Sequence, residues 1–469
     1  MVPMRLVSDE EHSAARAFLV SGMVWMAIGT TFGLIGGIAL AAPDAIRNVP
    51  WLVFGRVRPV HVNLVAVGFV PMVLIGAGLY LVPTLLRTRL YGERLAHVGI
   101  WLYNAALAIG AIELARGHTQ AREYAELTWI PDVLIVGAFV ALIISFGGTL
   151  ARRQEPLLYV SVWYFGAALA VTAALYPLGN AMWNPSTGAV TGVLDAILLW
   201  FYGHNVVGLL LTPLALCAAY YLVPAITRAP LYSHTLSMIG FWSLLGFYTH
   251  IGGHHLLQAP IPVWLKVISV IDSVMMMIPV LVVLVNLWLT ARGRFGDLFA
   301  SVPGKFVLLG TINYLIVGVQ GPLQSLPAVQ RVTHFTQWTI AHAHLAVLGF
   351  TGMIALGALY YALPRVTGKL VWSERLANTQ FWFVFLSVTA FMLVLTGAGL
   401  AQGHAWINGE TVYRTVPMLS PYMMVRALFG VMLVLAAYLG LYNVLMTIYR
   451  GKPVAVEAAE GSVRKPATA

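Results

Sequence analysis

The sequence predicts an all-α integral membrane protein, a bundle of twelve transmembrane helices. Of its 469 residues, 59% are hydrophobic and only 9% are charged, whereas a soluble domain needs many more charges to solvate its surface. Apolar runs of about 20 residues recur along the whole chain, and each is long enough to cross roughly 30 Å of hydrocarbon. Basic residues also concentrate on one side of these runs, as expected for the cytoplasmic side of a membrane protein.

The predicted spans leave no room for a soluble domain. They cover residues 17–42, 60–86, 94–115, 128–151, 157–180, 192–225, 231–258, 262–291, 302–326, 334–364, 376–402 and 420–450. We therefore expect a cytoplasmic N-terminus (1–16), one membrane domain (17–450) and a cytoplasmic tail (451–469) whose small, polar composition predicts disorder. No cleavable signal peptide is expected, because Asp9, Glu10 and Glu11 lead into a first span that is too long for one.

The formal charge of +10 is explained by membrane topology and does not indicate a nucleic-acid site. With the N-terminus inside, 18 of the 27 Lys and Arg residues fall on the cytoplasmic side, which leaves nine outside. This asymmetry predicts that both termini are cytoplasmic. The single cysteine, Cys217, excludes disulfides, iron–sulfur clusters and covalently attached c-type haem within the chain.

Histidines inside the spans are the strongest functional signal. Six of them lie at His61, His204, His254, His255, His342 and His344. Ionisable groups are costly at membrane depth and mark a functional site by default. A single one could be a core histidine bonded to a backbone carbonyl, but six of them need a common cause, and metal binding supplies it.

The spacing of these histidines predicts two metal centres on either side of one helix. His342 and His344 point about 200° apart at 3.6 residues per turn, so one helix offers imidazoles to two sites. The adjacent pair His254 and His255 could bind one metal together with His204, and a three-imidazole site suits copper, iron or zinc.

A second pair of histidines predicts a haem that is saturated by its ligands. His61 with His344 would make a bis-histidine, low-spin haem, and His342 would hold a second haem with one open face towards the three-imidazole site. Arg56 and Arg58, at the outer end of the second span, could neutralise haem propionates.

Several segments resemble the corresponding helices of cbb3-type catalytic subunits in the haem-copper oxidase superfamily: GRVRPVH, REYAELTW, YVSVWYFGA, YGHNVVGLLLT, GFYTHIGGHHL, THFTQWTIAHAH, GMIALGALYYALPR and PYMMVRALFG. They occur in order from the second span to the twelfth. The resemblance implies a low-spin haem b on His61 and His344, a high-spin haem b on His342, and copper on His204, His254 and His255. It also implies a terminal oxidase in a bacterial inner membrane that reduces O2 with electrons from a c-type cytochrome or cupredoxin partner.

Further residues take roles through the same resemblance. Tyr248 stands where the family has a tyrosine that becomes covalently linked to the first copper histidine. It also lies seven residues before His255, two turns along one helical face, so the phenol can face the same cavity. Tyr221, Ser237 and Tyr314 match a proton channel that rises from the cytoplasm.

The outer side of the fourth span carries a candidate cation site. Glu123 and Glu126 match acidic residues near the haem propionates and a bound cation, which would be calcium. A helix N-terminus that favours negative charge is the alternative explanation for both residues.

Two positions depart from the family pattern. Gln320 replaces a glutamate near the proximal side of the high-spin haem, which leaves the haem potential and proton pumping open. Gln337 replaces an aspartate and is reminiscent of nitric oxide reductases, the sister group.

Nitric oxide reduction is accordingly the main alternative function. It would need a carboxylate ligand for iron, and four residues beyond His204 the chain has Gly208, while span 262–291 offers only Asp272. A haem sensor or haem-insertion protein would not need the three-histidine site or Tyr248, and a transporter would need broken helices in inverted repeats. The sequence thus favours oxygen reduction.

Overall fold

The computed structural model of the protein describes residues 7–46, 48–181, 183–184 and 188–454. Most of the predicted cytoplasmic tail therefore lies outside the described residues, as do the first six residues of the predicted N-terminus. Side chains between 181 and 189 are likewise not described.

Helices long and apolar enough to cross a membrane dominate the described part of the chain. Eleven such segments are Ser13–Ala41, Phe54–Leu85, Glu93–Arg116, Trp129–Ala151, Val160–Asn180, Gly192–Thr227, Val263–Thr290, Val302–Ser325, Gln337–Thr367, Glu374–Ile407 and Val412–Arg450. They coincide with eleven of the twelve predicted spans, and the prediction of a multi-pass, all-helical membrane protein is confirmed. The helices α1 (Ser13–Ala41), α4 (Glu93–Arg116), α5 (Trp129–Ala151), α13 (Val302–Ser325), α17 (Glu374–Ile407) and α18 (Val412–Arg450) are each continuous.

The remaining predicted span, 231–258, is not one continuous α-helix. It consists of α9 (His234–Tyr248), a turn, and a 3-10 helix (Ile251–Leu256) that carries His254 and His255. A Cβ at Gly252 would lie 2.2 Å from the carbonyl oxygen of Trp200, so the chain approaches a neighbouring backbone here more closely than a side chain would allow. The argument that placed Tyr248 two α-helical turns from His255 therefore does not hold.

The three spans that carry the other histidines share a different irregularity. Each passes into a π-helical segment at or just after its histidines, and we call these the π segments: Asn63–Phe69, Val206–Leu211 and Leu345–Gly352. They join α2 (Phe54–Val62) to α3 (Val70–Leu85), α7 (Gly192–Asn205) to α8 (Thr212–Thr227), and α15 (Gln337–His344) to α16 (Met353–Thr367). A π-helical turn is wider than an α-helical one and occurs frequently at functional sites.

These same three spans form the centre of the bundle. Their most apolar windows are 83%, 89% and 89% buried inside the protein, compared with 28–56% for the other eight. The histidine-bearing helices are therefore surrounded by helices that face lipid.

Shorter elements complete the described chain. They are α6 (Val160–Tyr176) with its π-helical end Pro177–Ala181, α10 (Val263–Met275), α11 (Met277–Thr290), α12 (Phe295–Ala300), α14 (Pro327–Thr333), two 3-10 turns (Pro43–Ala45 and Pro50–Leu52) and a small antiparallel hairpin of β1 (Trp183–Asn184) and β2 (Gly188–Ala189).

Helix ends that were predicted to be cytoplasmic contact one another. The Ser13 hydroxyl at the start of α1 lies 3.3 Å from the Glu93 carboxylate at the start of α4, and the Arg294 guanidinium donates to the Thr227 carbonyl at 2.6 Å. The Leu370 amide bonds the Lys452 carbonyl at 2.8 Å. Each contact joins helix ends that the predicted topology assigns to the same side of the membrane. That this side is the cytoplasmic one stays a prediction.

Candidate haem and copper centre

Three histidines from two elements converge in the buried centre. His204 ends α7, whereas His254 and His255 come from the 3-10 helix. One ring nitrogen of each lies within 4.8 Å of the others, and among the described residues this is the one cluster of three or more His, Cys, Asp or Glu side chains with such geometry. The predicted three-imidazole site is therefore assembled by the fold.

The nitrogens that face one another are free to bind a metal. His254 uses Nδ1 to contact the Ser273 hydroxyl at 2.8 Å, while its Nε2 is buried without a partner. His255 Nε2 lies 3.3 Å from His204 Nδ1. Two nitrogens bonded to one metal at about 2.0 Å in tetrahedral geometry are about 3.3 Å apart, so the donor set fits a single copper-sized ion.

Tyr248 lies directly against this cluster. Its ring stacks on the His204 imidazole with 4.9 Å between ring centres and 15° between planes. The tyrosine ends α9 and the histidine ends α7, so the contact joins two helices. Tyr248 reaches the histidine cluster through His204, and not through the helical register that the sequence suggested.

A cavity of about 160 Å³ adjoins the cluster and extends to His342. Its wall includes all three histidines of the cluster, Tyr248, Tyr314 and residues of the three π segments. His342 contacts Gln320 through Nδ1 at 3.2 Å from Oε1, which leaves Nε2 as its other ligand nitrogen. This arrangement agrees with the prediction that His342 holds the high-spin haem. Gln320 then lies beside the imidazole that would bind the haem iron.

A second cavity, of about 120 Å³, lies on the other face of α15, the helix that carries both His342 and His344. His61 and His344 line it with their ring centres 6.3 Å apart and their planes 20° apart. A metal bonded to both imidazoles at about 2.0 Å would hold the ring centres about 6 Å apart, so the pair fits a bis-histidine haem iron.

Backbone carbonyls fix the orientation of both rings. His61 Nδ1 bonds the Gly29 carbonyl and His344 Nδ1 bonds the Ile340 carbonyl, each at 2.8 Å, which leaves both Nε2 atoms as ligands. A Cβ at Gly33 would come within 2.7 Å of the His61 ring, so this glycine makes room for it. The prediction that His342 and His344 serve different sites agrees with the two cavities.

The second cavity also contains a cation that sequence reasoning missed. Arg426 of α18 lines the cavity and lies within electrostatic range of His61 and His344. In the described part of the chain no acidic side chain forms an ion pair with it. It lies six residues inside the predicted span 420–450, and an arginine at that depth was itself a signal of function.

The predicted propionate arginines lie outside both cavity walls. Arg58 pairs with Glu123 and lies 3.9 Å from Glu126, while Arg56 reaches the Ala115 carbonyl at 3.5 Å. Burial raises the pKa of the Glu126 carboxyl, although the Asn63 amide and Arg58 partly offset this. Oε1 of Glu126 accepts no hydrogen bond from the described residues. Ca²⁺ takes six to eight oxygens, more than the Glu123 and Glu126 carboxylates provide, so the side chains of this loop alone do not fit calcium.

Two of the three predicted proton-channel residues have polar or cavity contacts inside the bundle. The Asn286 amide donates to the Ser237 hydroxyl at 3.0 Å, and Tyr314 lines the first cavity with Tyr248. Tyr221 lies elsewhere, with its ring 5.7 Å from that of Tyr361.

The adjacent tyrosine, Tyr220, takes the position expected for Tyr221. Its hydroxyl lies near Ser237 and Asn286, outside strict hydrogen-bonding geometry, and it is within electrostatic range of Tyr314. Tyr220, and not Tyr221, is therefore the tyrosine that lies beside Ser237. Sequence alone did not distinguish the two, because only the neighbouring helices α9 and α11 identify the inward face.

Asp272 does not reach the histidine cluster. Its carboxylate pairs with the imidazole of His250 at 3.1 Å, and His250 is largely exposed. The cluster of His204, His254 and His255 thus includes no acidic residue within its ligand distance among the described residues.

Comparisons with known proteins agree with this geometry. Residues 13–432 match the family described as cytochrome c and quinol oxidase polypeptide I. The chain is 33% identical to the cbb3-type cytochrome c oxidase subunit CcoN1 of Stutzerimonas stutzeri, over 96% of this chain and 97% of that protein. It is also 33% identical to a cytochrome c oxidase subunit 1 homologue of Agrobacterium tumefaciens, over 92% of this chain and 82% of the relative.

More distant proteins share the fold. A nitric oxide reductase subunit of Stutzerimonas stutzeri is 26% identical, over 92% of this chain and 94% of its own length. A haem-copper terminal oxidase dimer solved by cryo-electron microscopy superposes with a TM-score of 0.75 at 17% identity, covering 96% of this chain and 86% of that one. The family match and the identities of 33% establish the assignment: the chain belongs to the haem-copper oxidase family as a subunit I, an oxidoreductase of the respiratory chain.

Proposed function

We propose that this chain is the catalytic subunit of a terminal oxidase that reduces dioxygen to water. The observation that carries the proposal is the stacking of Tyr248 on His204 within a three-histidine cluster that, among the described residues, includes no carboxylate. An all-nitrogen donor set suits copper, whereas iron sites commonly add a carboxylate. A phenol beside the cluster supplies a proton and an electron that oxygen reduction needs.

Two b-type haems and one copper ion would, when bound, supply electron transfer and the binding and reduction of oxygen. Each O2 takes up four electrons and four protons and yields two water molecules. His61 and His344 would hold the low-spin haem, His342 the high-spin haem, and His204 with the 3-10 pair the copper. The Nδ1 contacts of four of these rings keep the Nε2 atoms deprotonated and aimed inward: His61, His254, His342 and His344.

Cations near the low-spin site would bind the haem propionates. Arg426 is available in the cavity wall, and Arg56 and Arg58 lie beyond its outer end. A buried guanidinium is stable only when an anion offsets its desolvation. Calcium has weaker support, because Glu123 already pairs with Arg58 and the two carboxylates are too few for its coordination shell.

Protons would reach the site through buried hydroxyl groups. The path proposed here runs from Ser237 past Tyr220 and Tyr314 to Tyr248. The hydroxyls of Tyr220 and Tyr314 are buried and have no strict hydrogen-bond partner, so each can exchange a proton through an ordered water. The expected orientation draws these protons from the cytoplasm, and proton uptake there would conserve energy.

Electrons would come from another subunit. The chain has one cysteine and no motif for covalent haem attachment, so a c-type cytochrome or cupredoxin partner is the proposed donor. The relatives are named as cytochrome c oxidase subunits, which supports a cytochrome donor.

Nitric oxide reduction has less support from the same site. The 26% identity with a nitric oxide reductase subunit is lower than that with the oxidases. Asp272 is engaged with His250, and Gly208 offers no side chain near the cluster. No carboxylate is therefore available among the described residues to complete an iron site.

Metal analysis with turnover on the purified, haem-loaded complex tests the proposal. About one copper per two haems, with oxygen consumption that Tyr248→Phe abolishes, is the expected result. Non-haem iron instead of copper, with nitric oxide consumed and oxygen left nearly untouched, would overturn it.

A further inference from the structure

Gly208 lies where a side chain and the ring of Tyr248 compete for the same space. It belongs to the π segment Val206–Leu211, one turn beyond His204. A Cβ built on Gly208 would lie 1.7 Å from Cε1 and 1.9 Å from Cζ of Tyr248. Neither contact is compatible with two carbon atoms, so one of the two groups must be absent.

The tyrosine cannot yield by a small rotation. Its ring stacks on the His204 imidazole at 4.9 Å, and the atoms nearest Gly208 belong to a rigid ring and not to the end of a flexible chain. Movement away from Gly208 would separate the phenol from His204. The position of Tyr248 beside the histidine cluster therefore depends on the missing Cβ.

We propose that Gly208 is the positioning residue that admits Tyr248 to the copper cluster, and that any side chain at 208 excludes the tyrosine and with it oxygen reduction. The inference rests on the proposed function, because it concerns the role of Tyr248 in that reaction. Residue 208 would act through Tyr248 and would not contact the substrate.

The test is a double-mutant cycle on the complete complex, read by oxygen turnover and by copper and haem content. Gly208→Ala is expected to lower oxygen turnover at least about tenfold and to lower copper and haem content, because the displaced ring disturbs the histidine cluster. In a Tyr248→Gly background, which removes the ring, Gly208→Ala should leave copper and haem content unchanged. In a Tyr248→Phe background, which keeps the ring, the steric conflict should persist, and Gly208→Ala should still lower copper and haem content.

Gly246→Ala is the matched control. Gly246 lies two residues before Tyr248 on α9, and a Cβ there would meet no atom within 4 Å. This variant should keep parent turnover and metal content, which separates a general effect of alanine near Tyr248 from the steric conflict at 208.

Two results would overturn the proposal. One is oxygen turnover in Gly208→Ala within about twofold of the parent. The other is an equal loss of copper and haem in the presence and absence of the Tyr248 ring, since the conflict would then involve another group. If the parent complex itself fails to reduce oxygen, the proposed function fails, while metal content across the cycle still tests the exclusion between residues 208 and 248.

Discussion

The hydrogen bond between His254 and Ser273 offers a quantitative test of how the chain holds copper. Ser273 donates its hydroxyl proton to the Ser269 carbonyl and so accepts from His254 Nδ1 at 2.8 Å. Each of the two bonded side chains is only 2% exposed, so the bond is shielded from bulk water. In Ser273→Ala, copper on Nε2 would force the proton onto an Nδ1 with no acceptor.

The expected loss follows from that unmade bond. A buried, unsatisfied N–H costs about 1–3 kcal/mol. The penalty falls on the copper-bound form only, since without copper the proton can move to Nε2 and face the cavity. Copper affinity should therefore drop about 10- to 100-fold, the range found when partners of metal-binding histidines are removed.

Copper retained against increasing chelator on the purified complex measures the effect. Ser273→Thr keeps the hydroxyl and should hold copper nearly as the parent does. Ser243→Ala, which removes an exposed hydroxyl bonded to the Ile239 carbonyl, is the control. Equal copper retention in Ser273→Ala and the parent would refute the reasoning.

Three further predictions concern the haems and the proton path. Gln320→Glu should lower the midpoint potential of the high-spin haem, because a carboxylate acceptor makes the His342 imidazole a stronger donor to iron. A redox titration that shows no change or a rise in this potential would contradict the prediction. Arg426→Met should lower the low-spin haem potential and haem content, since the cavity loses its cation; haem content and potential equal to the parent's would argue against propionate binding. Tyr220→Phe should slow oxygen turnover about tenfold and Tyr221→Phe less than about twofold, measured by oxygen electrode; equal effects would remove Tyr220 from the path.

The sequence was sufficient for the membrane fold and for the histidines. Eleven of the predicted spans have matching helices because apolar length is a local property of the chain. The separation of His342 from His344 could be predicted from helical geometry alone. The pairing of His61 with His344 was predicted from the resemblance to cbb3-type subunits, because burial cost marks the six histidines as functional but does not indicate which of them pair.

Other features depend on contacts between distant segments. The α-helix ends after α9 where Gly252 packs closely against the backbone of Trp200. Hydropathy cannot predict a close contact between two backbone segments. Tyr220 and Tyr221 are adjacent residues of the same type, and only their contacts with neighbouring helices distinguish them. Arg426 was different, because a charged residue within a span is a local signal and was available in the sequence.

The π segments let each span hold one more residue than a regular α-helix would without changing the direction of the helix beyond them. Deletion of one residue from a π segment could therefore restore regular α-helix, and the helix beyond the deletion would keep its orientation relative to the histidine. The side chains within the segment would be rearranged, and these include Val207 and Val347, which line the first cavity. A single-residue deletion inside a π segment should thus alter the cavity wall while the span, its composition and its hydropathy hardly change.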